Sequence, residues 1–523
     1  MKMNVIYIKS PDSAWIDIAN ILKKKNSWNT VGWIGQKKYK INFDKFSKDN
    51  KANYFDQELF FSNEIDYYLN QQIHTKVNVD EILKKMKFHI PIIYEQINRW
   101  FDYAISENKN LKKLFLSKMI ADISKFIEIY KIDIVVCPTV PHRIYDYVFY
   151  ALQLIKNKPF LMVENTSGIR IKNNNLVNLN FGIYNVYFRT SYINNIKLNS
   201  NHKFDSEISK VLQYFKDKND SIKYTYILAN EKTTESLLYK SKLLIPKRIK
   251  LYLGFIIRNF FQGNDKTGLY LEKNSKTFCA KSSIKKNVTY KLLIHNNSQK
   301  AFNFYLNNSI KSDFPEKSVF FAGSRHPERS HCPDAGLLYD PLRILTKLST
   351  NLPNDYFILY KEHPNNFNQP FEDPRKNIDF YKKLLELKNI IFIHPKIHSN
   401  HLIDVSSIVA TATGTAGFEA AIRGKQSIIF GSCWYETLGS VKKLNNSFEI
   451  KNYFKNFRIL DEKSIRKEIS ILLNKIYSCS FDLNYRRNNL VNFNDKSNPL
   501  YLKKLDLISE MYSNTYSTYK KFN

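Results

Sequence analysis

The 523-residue sequence predicts an α/β protein: two regions of alternating strand and helix, separated by a helical, basic connector. Three observations carry this. "KIDIVVCPTVPH", "RIYDYVFYALQLIKN" and "KPFLMVEN" read as strand, helix, strand, a βαβ unit of the kind that builds parallel sheets covered by helices. The same alternation returns from residue 317 onward. Between them, residues 200–310 lose it, and the chain is longer than one core usually holds.

The elements follow in order. "NVIYI" is an apolar strand. In "SPDSAWIDIANILKKK", Asp12 or Ser13 can cap a helix whose apolar stripe is Trp15, Ile18, Ile21 and Leu22. "TVGWIG" is a second strand, residues 56–130 read as helical, and the βαβ unit closes a first domain over 1–205. The connector, 206–312, holds the amphipathic helix "DSEISKVLQYFKDK". It also holds "LLIPKRIKLYLGFIIRNFFQG", where Lys247, Arg248, Lys250 and Arg258 interleave with apolar residues. That segment suits either an anionic membrane face or a core-facing helix between domains. The second domain, 313–480, alternates "KSVFFAG", "YDPLRILTKLSTNLP", "DYFILYKEHP", "FYKKLLELKN", "IIFIHP", a strand over "HLIDVSSIVATATGT", the helix "AGFEAAIRG", the strand "KQSIIFG" and a closing amphipathic helix through Ile465, Ile469, Leu472 and Ile476. The tail, 481–523, has no core of its own and is expected to pack back on the first domain.

Composition narrows the classes. At 43% hydrophobic and 24% charged residues the chain reads as folded, not disordered. Five scattered cysteines without a CxxC argue against both a disulfide framework and a zinc site, and favour a reducing compartment. The start reads as a strand and not a signal peptide, and no stretch reaches the roughly 18–20 apolar residues of a membrane span. A cytoplasmic location, with room for peripheral membrane contact, is the expectation. The net charge of +32 fits a polyanionic partner, but the lysines are spread along the chain without a long basic block, which favours a generally lysine-rich surface. No nucleic-acid-binding motif is present, so no nucleic acid is expected as partner.

In open α/β sheets ligands sit beyond the carboxyl ends of the strands, so the loops after strands hold the candidates. Of 14 glycines, five (Gly414, Gly417, Gly424, Gly431, Gly439) fall within 407–441. In "ATATGTAGFEAAIRG" a strand ends at Thr413, Gly414 and Thr415 turn, and a helix begins whose free N–H groups suit phosphate. Gly414 and Gly417 are expected to serve the ligand, with Glu419 reaching a ribose diol, while the later glycines serve turns. The segment is neither GxGxxG nor a P-loop, and a ligand-free tight turn fits it too. "YKEHP" sets Lys361, Glu362, His363 and Pro364 at another strand end. His363 could stabilise a leaving group and Lys361 neutralise a phosphate. "AGSRHPERSHCPDAG" crowds His326, Glu328, Arg329 and His331 into a polar loop; its two histidines lack a convincing metal-ligand set. From the first domain, His142, Asp146 and Glu164 are the groups able to act as general base toward an acceptor hydroxyl, or else ordinary loop and capping residues.

Taken together, "HPERSHCPDAG", "YKEHP" and "SSIVATATGTAGFEAAIRGKQSIIFGSCWY" resemble bacterial capsule and surface polysaccharide biosynthesis proteins, the capsular Kdo-transferase-like glycosyltransferases. The likeness is strong over about 318–441, weaker in the first domain and absent over 200–310. It implies a GT-B fold, two Rossmann-like domains facing a cleft, with the nucleotide sugar on the second domain and the acceptor on the first. His363 and Pro364 stand at the family's His-Pro, and Gly414, Thr415 and Glu419 at its nucleotide-binding turn and helix. Gln426 replaces a usual proline, and His326 a usual glutamine. The implied activity is transfer of a sugar, such as the acidic sugar Kdo from a CMP donor, to a surface polysaccharide or lipid-linked glycan, with no metal or other cofactor. A polyol-phosphate transferase of teichoic-acid type, a nucleotide-sugar epimerase sharing the fold, and a basic, non-enzymatic membrane- or nucleic-acid-binding scaffold are the alternatives.

Overall fold

The computed structural model describes residues 2–9, 14–43, 52–61, 77–100, 109–166, 168–172, 175–194, 196, 204–216, 270–271, 278–279, 297–325, 328–367, 377–480 and 499–523. Most of the connector, with its basic segment 243–263, lies outside these residues, as do Asp12, Ser13 and His326.

The first half is a six-stranded sheet of β1 (Met3–Ile8), β2 (Trp28–Gly35), β3 (Asn53–Asp56), β4 (Ile134–Val136), β5 (Phe160–Asn165) and β6 (Asn180–Ile183). Its order is β3-β2-β1-β4-β5-β6, parallel throughout except for β6, which runs antiparallel to β5. The strands are short and apolar on both sides, because helices cover both faces. On one face lie α1 (Ala14–Asn26) and, from the far end of the chain, the helix Pro499–Phe522. On the other lie Ile90–Trp100 (α2), Lys109–Ile129 (α3) and Ile144–Ile155 (α4).

The second half is a seven-stranded, all-parallel sheet: β7 (Ser309–Ile310), β8 (Ser318–Ala322), β9 (Phe357–Lys361), β10 (Ile390–Ile393), β11 (Ile408–Thr411), β12 (Ser427–Ile429) and β13 (Val441–Lys443). Its order is β7-β10-β9-β8-β11-β12-β13. Setting β7 aside, this is the doubly wound 3-2-1-4-5-6 order, and its direction reverses between β8 and β11. Its helices include α5 (Pro341–Asn351), α6 (Ser399–Val405), α7 (Ala416–Ile422) and α8 (Glu462–Cys479). Two Rossmann-like halves facing one another make a GT-B architecture.

The halves share core. Ile465, Ile469, Leu473 and Ile476 of α8, with Phe418 and Trp434, join the same buried cluster as Ile123, Val148 and Leu152 of the first half. The final helix, labelled α9 (Pro499–Phe522), buries Tyr501, Leu505, Ile508, Met511, Tyr512 and Tyr516 against Trp15, Trp28 and Leu161. Gly182 of β6 makes this seat possible, since a Cβ there would lie 1.9 Å from Thr515 Oγ1.

Three local expectations change. "HLIDV" is not strand but the body of α6, burying Leu402 and Ile403; the strand begins at Ile408. The region read as helical from 56 opens instead on the last residue of β3 and a 3-10 turn at Gln57–Phe60, and its first described α-helix is Val79–Lys85. Gly417 faces protein, not ligand: a Cβ there would sit 2.7 Å from the Tyr435 hydroxyl. That glycine makes room for an aromatic ring packed under α7.

Candidate active site

The loops following β8, β9, β10 and β11 converge beyond the carboxyl end of the second sheet, at its switch point, and Glu164, Asn165 and Arg189 of the first half face them across the cleft. Together they enclose a cavity of about 770 Å³. Among the expected site residues, Glu164, Glu328, Arg329, Lys361, Glu362, His363, Pro364, Thr413, Gly414, Thr415 and Glu419 all line it. His142, Asp146 and Gly417 do not.

At the end of β9, Lys361 is half-buried and reaches across to the loop after β10. Its ammonium donates to the Ile397 carbonyl (2.5 Å) and the Ser399 hydroxyl (3.3 Å). Burial lowers its pKa to about 8. Both acceptors are neutral oxygens, so they do not cancel the charge they hold, and Lys396 lies on the same wall. That wall suits an anion.

Glu362 takes another part. Its Oε2 accepts from the Tyr360 hydroxyl (2.6 Å) and the Tyr381 hydroxyl (2.9 Å). Its Oε1 accepts from the His363 backbone N–H (2.8 Å) and Asn366 Nδ2 (2.7 Å). Asn366 Nδ2 also donates to the Ser324 carbonyl (2.9 Å), tying the loop after β8 to the turn after β9. Expected as a ligand contact, Glu362 is instead a buried anchor whose carboxylate is filled by four donors and which sets the backbone of His363.

The turn at the end of β11 is equally specified. Gly414 N–H donates to Thr411 Oγ1 (3.1 Å), and its carbonyl accepts from the Tyr435 hydroxyl. The Thr413 hydroxyl donates to the Ser330 carbonyl of the loop after β8. Gly431, at the end of β12, has Ala335 Cα and the Asp334 carbonyl each 2.5 Å from where a Cβ would sit, so only glycine admits that loop. Gly424 has φ +76° at the end of α7, the left-handed turn a helix-terminating glycine supplies.

The cleft floor holds four charges. Arg329 Nη2 donates to Glu164 Oε1 (2.6 Å), and its Nε lies 3.2 Å from Asp334 Oδ2. Arg189 Nη1 lies 2.9 Å from Glu164 Oε2, and Nη2 pairs with Asp334 Oδ1. Burial works against the Arg189 charge, and Asp334 and Glu164 outweigh it, so its pKa is raised. One acid and one base come from each half. Beside this cluster Arg99 of α2 donates to the carbonyls of Cys332 (3.0 Å) and Glu328 (3.3 Å). A relay of hydroxyls runs from His89 through Tyr147 (3.0 Å) and Tyr187 (2.7 Å) to the Pro333 carbonyl (3.4 Å). Sequence reasoning missed Arg189 and Asp334, because their pairing joins distant segments and leaves no local spacing.

Asp146, expected among the candidate bases, is fully buried in an ion pair with Lys9, and its other oxygen accepts from the Arg143 N–H (2.8 Å) at the start of α4. It is a capping residue beneath the first sheet's switch point. His142 lies nearby with Nδ1 2.8 Å from the Val140 carbonyl. Burial and the Lys9 charge lower its pKa well below the usual histidine range. Among the described residues, no group of three or more His, Cys, Asp or Glu side chains is placed to hold a metal ion. Nor, among them, is any helix long and apolar enough to cross a membrane.

Residues 329–453 match the family model described as capsule polysaccharide biosynthesis protein, so the second half carries that family's signature where the sequence resemblance is strongest. No curated protein matches the chain. Solved structures that are similar include Thermosulfurimonas dismutans KpsC, a beta Kdo 2,7 transferase, at 12% identity over 71% of this chain and 84% of that one, with a TM-score of 0.29. A glycosyltransferase from Rickettsia africae is similar at 15% identity over 98% of both chains, with a TM-score of 0.24. UDP-GlcNAc 2-epimerase from Neisseria meningitidis, bound to UDP-GlcNAc, is similar at 14% identity over 91% of this chain and all of that one, with a TM-score of 0.19.

Proposed function

We propose that the chain is a glycosyltransferase of surface polysaccharide synthesis, moving a sugar from a nucleotide donor to a glycan or lipid-linked acceptor. One observation carries it: the cavity at the switch point has an ammonium, Lys361, held by neutral oxygens on one wall and a carboxylate of the opposite half, Glu164, on the other. A nucleotide phosphate sits at the first and an acceptor hydroxyl comes from the second. Lys361, Lys396 and Arg329 meet the charge that builds on the leaving phosphate, and His363, which lines the same cavity, is assigned the hydrogen bond to the departing oxygen. In this reading Glu419 and Thr415 flank the ribose, and no metal is called on. The acidic sugar Kdo, carried by CMP, is the donor the family likeness favours.

Thermal shift with CMP, UDP, GDP, dTDP and CDP-glycerol tests the reading. Stabilisation by CMP or UDP is expected, and Lys361→Met removes it. Stabilisation by CDP-glycerol above all others turns the assignment to a polyol-phosphate transferase. If no nucleotide acts and single-stranded RNA does, the transferase reading fails.

A further inference from the structure

The four-charge cluster on the cleft floor is unequal. Glu164 is 0% exposed, and Arg189 and Asp334 are each at most 2% exposed, whereas the Arg329 side chain is 27% exposed and lines the cavity. Arg189 is further fixed by its Nε bond to the Val186 carbonyl (2.9 Å). Three members are therefore held, and one can leave. Arg329 covers Glu164 Oε1, while Oε2 stays with Arg189. An anion entering the cavity competes with Glu164 for the same guanidinium, because a fork of N–H donors suits phosphate or carboxylate alike.

We propose that Arg329 masks Glu164 as general base, and that the donor's anionic group unmasks it by drawing Arg329 off. The inference rests on the transferase reading and adds an order of events: donor first, then an acceptor that can be deprotonated. With Arg329 on the donor, Glu164 Oε1 faces the cavity and Arg189 still orients the carboxylate. The acceptor oxygen bonds to the anomeric carbon, and the bond from that carbon to the phosphate oxygen breaks. Its electron pair leaves on the phosphate, and the hydroxyl proton passes to Glu164 Oε1. Without donor the base is capped by a cation, which guards against idle proton transfer. Arg189 is then a positioning residue and Glu164 the catalytic one.

The signs of the mutant effects separate this from a merely structural cluster. Affinities for CMP and UDP, and for cytidine and uridine, are measured by calorimetry on the full chain. Arg329→Gln should weaken nucleotide binding about tenfold and leave nucleoside binding unchanged. Glu164→Gln removes the competitor, so nucleotide binding should tighten severalfold. Hydrolysis of the donor that binds, with water standing for the acceptor, should fall at least about 100-fold in that variant. Tighter binding joined to lost turnover is the signature. Unchanged or weaker nucleotide binding in Glu164→Gln overturns the proposal, as does equal loss of nucleotide and nucleoside in Arg329→Gln. Should Glu164→Gln fail to fold by circular dichroism, the partly exposed Arg329→Gln decides alone. If the wild type binds none of these nucleotides, the transferase reading falls and the mask with it; binding indifferent to Arg329 removes only the mask.

Discussion

Replacing Glu362 tests the claim that this residue is an internal anchor. Among the described residues, four donors converge on its carboxylate: the hydroxyls of Tyr360 and Tyr381, the His363 N–H and Asn366 Nδ2. Glu362→Ala leaves all four facing a void. At the low end of about 1 kcal/mol for each buried donor left unsatisfied, the loss sums to about 4 kcal/mol, a large share of a domain's net stability. Glu362→Gln should cost less, about 1–2 kcal/mol, because its amide oxygen still serves His363 and Asn366. The two tyrosine hydroxyls can rotate to accept from its NH₂, at the loss of charge assistance. Urea denaturation of wild type, Gln and Ala variants reads these differences directly, with coincident fluorescence and circular dichroism transitions to confirm that one step is being measured. An Ala variant within about 1 kcal/mol of wild type would refute the four-donor account. So would a Gln variant as damaged as Ala, which would point to the charge itself and not the geometry.

Two further outcomes follow from the fold. Lys361 has its pKa lowered from 10.5 to about 8 by burial; between those values the unfolded chain binds the extra proton, so this residue makes stability rise as pH climbs from about 8 to about 10.5. In the proposed transferase, nucleotide binding draws on the charged form and should weaken as pH rises through about 8, which calorimetric titration of the wild type over that range checks. Gly182→Ala places a Cβ 1.9 Å from Thr515 Oγ1 and 3.1 Å from Met511 Cγ. The overpacking should cost about 1–3 kcal/mol in thermal unfolding, and Thr515→Ala should restore most of it.

The strand ends were the legible part. "KSVFFAG", "DYFILYKEHP" and "QSIIFG" announce buried parallel strands because both faces are apolar, and the polar residues after the runs are the ones that line the cavity. Hence Lys361, His363, Gly414 and Glu419 could be named without coordinates. The helix α6 was not legible. His398 caps it through its ring nitrogen (3.2 Å to the Asn400 N–H), an uncommon cap, and "HLIDV" runs straight into the β-branched "SSIVAT". Edge strand β13 carries two lysines in three residues and shows no apolar signal. Within the site, Glu362 reads from sequence as one more polar group beside a His-Pro; only packing shows its oxygens turned inward to two tyrosines. Asp146 misleads for the same reason. A carboxylate after a strand looks available until Lys9 is found on it.

The last helix, α9, bears on the order in which the protein is made. Trp15 lies 6.2 Å from Tyr512 and Trp28 lies 5.4 Å from Tyr516, ring centre to ring centre. The face of the first sheet that α9 covers is therefore bare while the ribosome is still producing the second half. The first half emerges early but completes late, with Trp15 and Trp28 lacking the Tyr512 and Tyr516 rings that pack on them until α9 arrives.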